Sequence, residues 1–305
     1  MDMPKTQPLP DVAHETAAHG RTLDWVGMSH VALPLQWQGR TLAADADVEV
    51  NLIDAQARGI HMSRLYLHVQ DAFANAEPDA ATLGKVLQQL IDSQGEGSDA
   101  ARLTLRFSPL LSRKALASDN RGWRSYPVTL TAEQSPQGMT LRLALTVQYS
   151  STCPASAALS RRANADAFEA RFGTQGESVS AQHVSDWLAG ADGLAATPHA
   201  QRSNAHVEVT LATDTQALPI ESLLDALEAA LATVVQTAVK REDEQAFARL
   251  NAQHLMFCED AARRVANVLS ARADVVRFSA RVEHLESLHA HDAVATVHGS
   301  GAARA

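Results

Sequence analysis

The sequence predicts an α+β fold in which antiparallel sheets are covered by helices on one face. Stretches with apolar residues at every second position alternate with stretches that have them at helical spacing. The order strand, strand, helix, helix, strand, strand occurs twice along the 305 residues. The connections between paired strands are short, which favours antiparallel neighbours and helices gathered on one side.

The first repeat is predicted to occupy residues 23–135. Within it, Val48, Val50 and Leu52 fall on one face of an extended segment, as in a half-buried strand. A later segment places apolar residues three and four apart, as in an amphipathic helix. The predicted elements are strands at 26–36, 42–54, 101–110 and 125–133, and helices at 63–75 and 80–93.

The second repeat is predicted to occupy residues 136–298. Pro219 begins its first long helix, because proline is favoured in the first turn. An Ala-, Ser- and Arg-rich stretch at 157–197 is predicted to be a surface insertion or a lid. The predicted elements are strands at 138–150, 205–212, 275–285 and 292–297, long helices at 219–239 and 253–270, and short insertion helices near 164–172 and 180–188. Residues 1–22 and 299–305 are expected to form a disordered arm and a disordered tail.

Composition and charge limit the function classes. Hydrophobic residues make up 46% of the chain, enough for a sizeable core, and no apolar run is long enough to span a bilayer. The net charge of −9 disfavours nucleic acid as a partner, since neutralising phosphates needs a basic face. The two cysteines, Cys153 and Cys258, are expected to be free thiols. Together with a polar N-terminus, these features predict a cytoplasmic protein with no membrane partner.

Three distant segments, 151–154, 198–203 and 286–291, concentrate polar residues that a structural core rarely uses. A thiol, imidazoles and a carboxylate are side chains that bind borderline-soft divalent cations. A fold is needed to bring such segments together, which indicates an enzyme. The candidates are Cys153, His199, Glu286, His289 and His291.

Two of these candidates, and two further polar features of the sequence, also have a plainer interpretation. Cys153 fits a buried structural thiol, and His199 fits a loop histidine without a role. The run 240–244 is by itself best interpreted as a solvated connection between helices. Glu259 is either an exposed helical residue or a pocket carboxylate that accepts two hydrogen bonds from a purine edge.

Taken together, these segments resemble the type IB GTP cyclohydrolase family, prokaryotic enzymes of the tunnelling fold. The matching segments keep the order of the family over about residues 26–297. They are Gly59-Ile60-His61-Met62-Ser63-Arg64, Ser151-Thr152-Cys153-Pro154, His199-Ala200-Gln201-Arg202-Ser203, Lys240-Arg241-Glu242-Asp243-Glu244 and Glu286-Ser287-Leu288-His289-Ala290-His291.

The resemblance implies hydrolysis of GTP to 7,8-dihydroneopterin triphosphate and formate, at the entry to tetrahydrofolate synthesis. It also implies the tunnelling fold and a homotetramer with active sites at subunit interfaces. The implied divalent metal is zinc, manganese or iron, which mixed thiolate, imidazole and carboxylate ligands accept. The implied metal ligands are Cys153, His199, Glu244 and His289, and the implied catalytic residues are Cys153, His199, Glu286 and His289. Glu259 is the implied guanine anchor. Our candidates for binding the triphosphate are Arg64, Arg202, Lys240 and Arg241.

Two other functions fit the same residues. One is a tunnelling-fold enzyme acting on a pterin or deazapurine, in which Cys153 is a nucleophile and NADPH replaces the metal. The other is an oligomeric binding protein that keeps the fold without the activity. Because a long segment separates Cys153 from His199, the sequence does not establish that these two residues are in contact.

Overall fold

The computed structural model describes residues 12–173 and 178–303. Its main feature is an eight-stranded sheet in the order β1-β2-β3-β6-β7-β8-β9-β10, in which every neighbouring pair is antiparallel. Each repeat has the predicted order of two strands, helices and two further strands of this sheet, with additional elements that were not predicted, and the predicted α+β fold class is confirmed.

The first repeat contains six strands and two helices. Its extra two strands form a separate hairpin. The elements are β1 (Leu23–Trp37), β2 (Arg40–Leu52), α1 (Met62–Asn75), α2 (Ala80–Asp92), β3 (Ala101–Phe107), β4 (Leu110–Lys114), β5 (Arg121–Ser125) and β6 (Val128–Ser135).

The described part of the second repeat contains four strands and five α-helices. Two helices lie between its first two strands, and three lie between its second and third strands. The elements are β7 (Gly138–Thr152), α3 (Pro154–Phe172), α4 (Ala181–Ala189), β8 (Ala200–Leu211), α5 (Ile220–Leu231), α6 (Arg241–Gln253), α7 (Cys258–Ser270), β9 (Val275–His284) and β10 (Ala293–Ser300).

One continuous core lies between the sheet and α1, α2, α5 and α7. The inward positions of the strands are aliphatic, and Leu143 and Leu224 are fully buried. The opposite face of the sheet is polar. On that face, the guanidinium of Arg106 bonds the carboxylates of both Asp45 and Asp47. One apolar and one polar face is the expected consequence of strict alternation in antiparallel strands.

The hairpin of β4 and β5 was not predicted. The strand expected at 125–133 is divided, because Pro127 cannot donate to a ladder and separates β5 from β6. The hairpin is held against α5 by Arg124, which donates to the Glu228 carboxylate at 2.6 Å. Tyr126 bonds the same carboxylate, so this contact joins the two repeats.

The helix predicted at 219–239 was too long. It ends at Leu231, and Ala232 adopts a left-handed φ of 63°. The next residues lie along β7: Ser150 donates to the Thr233 carbonyl at 2.8 Å, and Val235 donates to the Gln148 carbonyl. The run of β-branched residues favours this extended pairing over further helix.

The charge run 240–244 is exposed at four of its five residues, but it is not a connection between helices, so that part of the interpretation was wrong. It forms the first turn of α6, with Lys240 as the N-cap. Asp243 is fully buried and accepts hydrogen bonds from Lys240 N, Ala117 N and the Ser118 backbone and hydroxyl. These bonds lower the pKa of the Asp243 carboxyl. The helix predicted from residue 253 begins later, at Cys258.

The chain ends and the insertion are described in part. Residues 12–17 hydrogen-bond along 54–59, for instance through Ala17 N and the Gln56 carbonyl at 2.8 Å. Residues 1–11 of the predicted arm, residues 174–177 in the insertion and the last two residues of the predicted tail lie outside the described residues. The division into units at 135 and 136 stays a prediction. No described helix is long and apolar enough to cross a membrane.

Candidate functional site

The paired ends of β7 and β8 bring Cys153 and His199 together. Thr152 is the register partner of Ala200, and Cys153 N–H donates to the His199 carbonyl at 3.3 Å. The segment between them leaves the sheet at one strand end and returns at the neighbouring one. Its length in sequence therefore does not separate the two residues in space.

Cys153 is the N-cap of α3. Its Sγ accepts a hydrogen bond from Ser156 N at 3.5 Å, and Pro154 occupies the first helical position. The helix begins ten residues before the predicted start at 164, because a proline there is preorganised for a first turn. The thiol is half-buried and stands at the base of the insertion.

His199 is held by neighbours on both sides. Its backbone N–H donates to Ser156 Oγ at 3.1 Å, and its Nδ1 lies 3.1 Å from Gln201 Oε1. The same Nδ1 lies 3.9 Å from Oε2 of Glu286. That carboxylate oxygen is buried and has no hydrogen-bond partner among the described residues. A buried carboxylate oxygen without a hydrogen-bond partner, beside an imidazole, indicates a place for a positive charge.

Behind His199 runs a series of buried polar side chains on β7, β8 and β9, which we call the buried polar chain. Gln201 Nε2 donates to Ser151 Oγ at 2.9 Å, and Ser151 Oγ lies 2.8 Å from Ser203 Oγ. Ser203 acts on the pKa of Tyr149, and the Tyr149 hydroxyl lies 2.9 Å from His284 Nε2. Desolvation raises the pKa of Tyr149 and lowers the pKa of His284 to about 4, so both are neutral near pH 7.

Sequence reasoning missed the buried polar chain, although a signal was available. The inward-facing positions of β7 change from Leu145 and Val147 to Tyr149 and Ser151. His284 continues the inward face of β9 in the same way. A polar residue at an inward position needs hydrogen-bond partners, so such a change in pattern indicates a special site.

His289 and His291 lie in the connection between β9 and β10. As expected for residues two apart, they point the same way, and their rings stack with centroids 5.1 Å apart. Both are exposed, whereas Glu286 at the start of the connection is mostly buried. Asp292 holds the base of the loop by accepting from Glu286 N at 3.0 Å.

Glu259 is the second residue of α7 and is exposed. A hydrogen bond from its own backbone N–H and one from the Cys258 thiol lower the pKa of its carboxyl. The Sγ to Oε2 distance is 3.3 Å. Its negative charge acts on His284, so it belongs to the same neighbourhood. The residue is therefore ionised and available to a ligand.

A cavity of about 420 Å³ opens beside the paired ends of β7 and β8. It brings Arg202 and Glu244, both predicted site residues, next to Gln201 of the buried polar chain. The volume suits a small-molecule ligand. Its other lining residues come from β7, β8, the segment after α5, and α6: Tyr149, Ser150, Ala200, Val235, Gln236, Val239, Asp243 and Phe247.

The remaining predicted phosphate contacts are spread over two regions. Lys240 and Arg241 lie exposed at the start of α6. Arg64 lies on α1 in the first repeat, where it donates to the Ser93 carbonyl at 2.6 Å. Arg64 is thus tied to the connection after α2 rather than to the second repeat.

The predicted metal ligands do not form a complete set within one chain. Among residues 12–173 and 178–303, the group with three possible ligand atoms within 4.8 Å of one another is His30, Asp45 and Asp47. That group lies on the polar face of the sheet, and Arg106 already neutralises its carboxylates. Cys153, His199, Glu244 and His289 do not meet this criterion within a single described chain.

The fold and the site define a class: an α+β protein with a cavity lined by arginine, glutamine and carboxylate side chains, beside the paired strand ends that bear Cys153 and His199. The family described as "Type I GTP cyclohydrolase folE2" matches residues 9–295. The chain belongs to this family.

Two proteins called GTP cyclohydrolase FolE2 are each 48% identical to this chain. The one from Pseudomonas putida (strain GB-1) aligns over 94% of this chain and 95% of its own, and the one from Serratia proteamaculans (strain 568) over 96% and 95%. Uricase from Arthrobacter globiformis is 11% identical, with a TM-score of 0.47 over 93% of this chain and 96% of that chain.

Proposed function

We propose that this protein is a GTP cyclohydrolase I that converts GTP and water into 7,8-dihydroneopterin triphosphate and formate, the first step of tetrahydrofolate biosynthesis. The observation that supports this most strongly is the family match over residues 9–295, together with 48% identity to two proteins called GTP cyclohydrolase FolE2. The rival functions, a cysteine-nucleophile enzyme and a binding protein, have no comparable support.

We propose a divalent metal, zinc, manganese or iron, with Cys153, His199, Glu244 and His289 as ligands. The donor types fit such a cation, and the unpartnered Oε2 of Glu286 next to His199 fits a nearby positive charge. When bound, the metal lowers the pKa of water, so that hydroxide is available near neutral pH.

Proton transfer to N7 of guanine is needed as the imidazole ring opens, and a group held nearby must supply it. His199, His289 and Glu286 are the candidates. Glu286 and His199 lie close enough to share a proton through a small movement, since 3.9 Å separates Oε2 from Nδ1. His289, on the exposed loop, can approach a substrate from the outside.

Recognition of the base is assigned to Glu259. A carboxylate accepts both the N1–H and the 2-amino group of guanine, a donor pair that adenine lacks. The lowered pKa of Glu259 keeps it ionised for this purpose. The triphosphate is assigned to Arg202, Lys240, Arg241 and Arg64, because guanidinium and ammonium groups bind phosphate oxygens.

We propose that the active protein is a cytoplasmic homotetramer with its sites at subunit interfaces. Several of the proposed ligands and phosphate contacts are exposed in the single chain, including Glu244 and His289. The outer strands β1 and β10 form the two edges of the sheet, and open edges are suited to pairing with another copy. A second copy next to the cavity can supply Arg64 from its own first repeat.

The test is incubation of the purified protein with GTP while pterin fluorescence is followed, with and without a chelator. We expect turnover that the chelator abolishes and added metal restores. Fluorescence that needs NADPH, or turnover that survives complete metal removal, supports the cysteine-nucleophile enzyme instead. Binding of GTP without product supports the binding protein.

A further inference from the structure

The buried polar chain ends at His199, and its composition fixes how its protons can be arranged. Four hydrogen bonds join His199 to Gln201, Gln201 to Ser151, Ser151 to Ser203, and Tyr149 to His284. Ser203 also acts on the pKa of Tyr149, which links the two parts of the chain. From Gln201 to His284, no member exposes more than 8% of its surface. Water therefore cannot readily replace a missing partner, and each donor must face an acceptor.

The side-chain amide of Gln201 sets the direction of the chain. Its Nε2 donates to Ser151 Oγ at 2.9 Å, so its Oε1 is the atom that faces His199 Nδ1 at 3.1 Å. A carbonyl oxygen can only accept, so Nδ1 must carry the proton. Every later bond can follow the same direction. Ser151 can donate to Ser203, and Tyr149 can donate to the lone pair of His284 Nε2.

Glu286 favours the same arrangement independently of the amide. Its Oε2 lies 3.9 Å from His199 Nδ1 and is buried without a hydrogen-bond partner among the described residues. A carboxylate is attracted to an N–H and repelled by a nitrogen lone pair. The reversed chain, with a flipped amide and the proton on Nε2, would turn the Nδ1 lone pair towards this carboxylate.

We infer that Gln201 is a positioning residue that holds His199 in the tautomer protonated on Nδ1, so that the Nε2 lone pair is available at the site. The role of the Nε2 lone pair rests on the proposed function, in which this lone pair binds the metal or accepts a proton during the reaction. Residues that orient a metal-binding histidine through its other ring nitrogen affect affinity although they do not touch the metal.

The first measurement needs neither metal nor activity. Metal-free protein labelled with ¹⁵N-histidine is studied by solid-state NMR near neutral pH, and His199 is assigned from the signal lost in His199→Asn. We expect a protonated Nδ1 and an unprotonated Nε2 in the unmutated protein. An Nε2-protonated His199 overturns the inference without any further variant.

The second measurement compares substitutions of Gln201. Gln201→Leu removes the acceptor, whereas Gln201→Glu keeps an acceptor for the Nδ1 proton. In competition with a chromophoric chelator, we expect the Leu variant to bind Zn²⁺ about 10- to 100-fold more weakly, with the Glu variant within about threefold of the unmutated protein. A purely structural role would instead weaken the Glu variant at least as much, because it buries a charge.

Gln134→Leu is the matched control, since Gln134 is a partly buried strand glutamine whose amide bonds only the Ser135 carbonyl among the described contacts. We expect it to bind Zn²⁺ normally. If the unmutated protein binds Zn²⁺ and turns over GTP but Gln201→Leu binds equally well, the positioning role is overturned alone. If the unmutated protein neither binds Zn²⁺ nor turns over GTP, the proposed function fails, while the NMR result still decides the tautomer.

Discussion

The first strand pairs of the two repeats are built alike but end differently. The pair β1–β2 is closed by Gln38 and Gly39, which both have left-handed φ values of 48° and 70°, as in the tight turns that suit twisted hairpins. In the pair β7–β8, the corresponding place is occupied by residues 153–199. Cys153 and His199 stand at the two ends of this long connection.

The polar content near the two ends differs in the same way. Near the tight turn, the inward residues remain apolar, and Leu35 is fully buried. Near the long connection, they become Tyr149, Ser151 and Ser203, each buried and hydrogen-bonded. Burying polar groups costs stability unless every one is paired. The second repeat therefore accepts this cost at the strand ends beside the candidate site, whereas the first repeat does not.

The largest effect is expected when the thiol of Cys153 is removed. Cys153→Ala should lower GTP turnover by more than about 100-fold. Loss of a residue that only orients a metal ligand is expected to cost about 10- to 100-fold. The fold should persist, because the thiol is a half-buried N-cap outside the main core. Pterin fluorescence measures the rate and circular dichroism checks folding. Normal turnover in this variant would refute the role of Cys153.

Glu259→Gln tests whether base recognition belongs to the second repeat. Loss of charge-assisted hydrogen bonds should cost about 1.5–3 kcal/mol, or about 10- to 100-fold in kcat/KM for GTP. Asp260→Asn is the matched control, because its carboxylate caps Phe257 N at 3.1 Å instead of facing a ligand. We expect that control to change stability while leaving kcat/KM near normal. Equal losses in both variants would argue against a guanine anchor.

His284 makes the stability of the second repeat depend on pH. Its pKa is about 4 in the folded protein because burial disfavours the charged ring, against about 6.5 when unfolded. Between these values the unfolded chain binds more protons, so stability falls as the pH falls from 6.5 towards 4. We expect this group to account for about 2–3 kcal/mol of the loss at pH 4.

Denaturant unfolding at several pH values checks this expectation. His284→Gln should flatten the decline between pH 6.5 and 4, whereas His298→Gln, at an exposed histidine of β10, should not. An unchanged pH dependence in His284→Gln would show that the histidine is not kept neutral by burial.

The smallest effect is expected at the tight turn. Gly39→Ala forces a residue with a Cβ into a left-handed conformation and should lower the free energy of unfolding by about 1 kcal/mol. No atom lies within 4 Å of the added Cβ, so the cost is conformational alone. GTP turnover should be unchanged. A clear loss of turnover would mean that the first hairpin also takes part in the site.

Hydrophobic periodicity was sufficient to predict the repeated strand and helix order, because both repeats bury one face of each element. It failed where local pattern and tertiary pairing disagreed. Thr233 to Val235 continue a helical pattern but pair with β7, and Asp243 looks solvated but is buried by donors from 117–118. Partners so distant in sequence cannot be identified from local periodicity.

The candidate site shows the same limit. The segments with Cys153, His199 and Glu286 could be identified from unusual polar residues, and the strand pairing explains why the first two meet. The buried polar chain could not be assembled in advance, since its bonds join β7, β8 and β9 through side chains whose partners depend on register. The roles of the exposed Glu244 and His289 stay predictions.

X-ray absorption spectroscopy of the zinc-loaded protein can show whether the thiol at position 153 and nearby imidazoles share one cation. We expect one sulfur scatterer at about 2.3 Å and nitrogen or oxygen ligands at about 2.0–2.2 Å. The sulfur contribution should be absent in Cys153→Ala. A zinc shell without sulfur in the unmutated protein would mean that Cys153 is not a metal ligand.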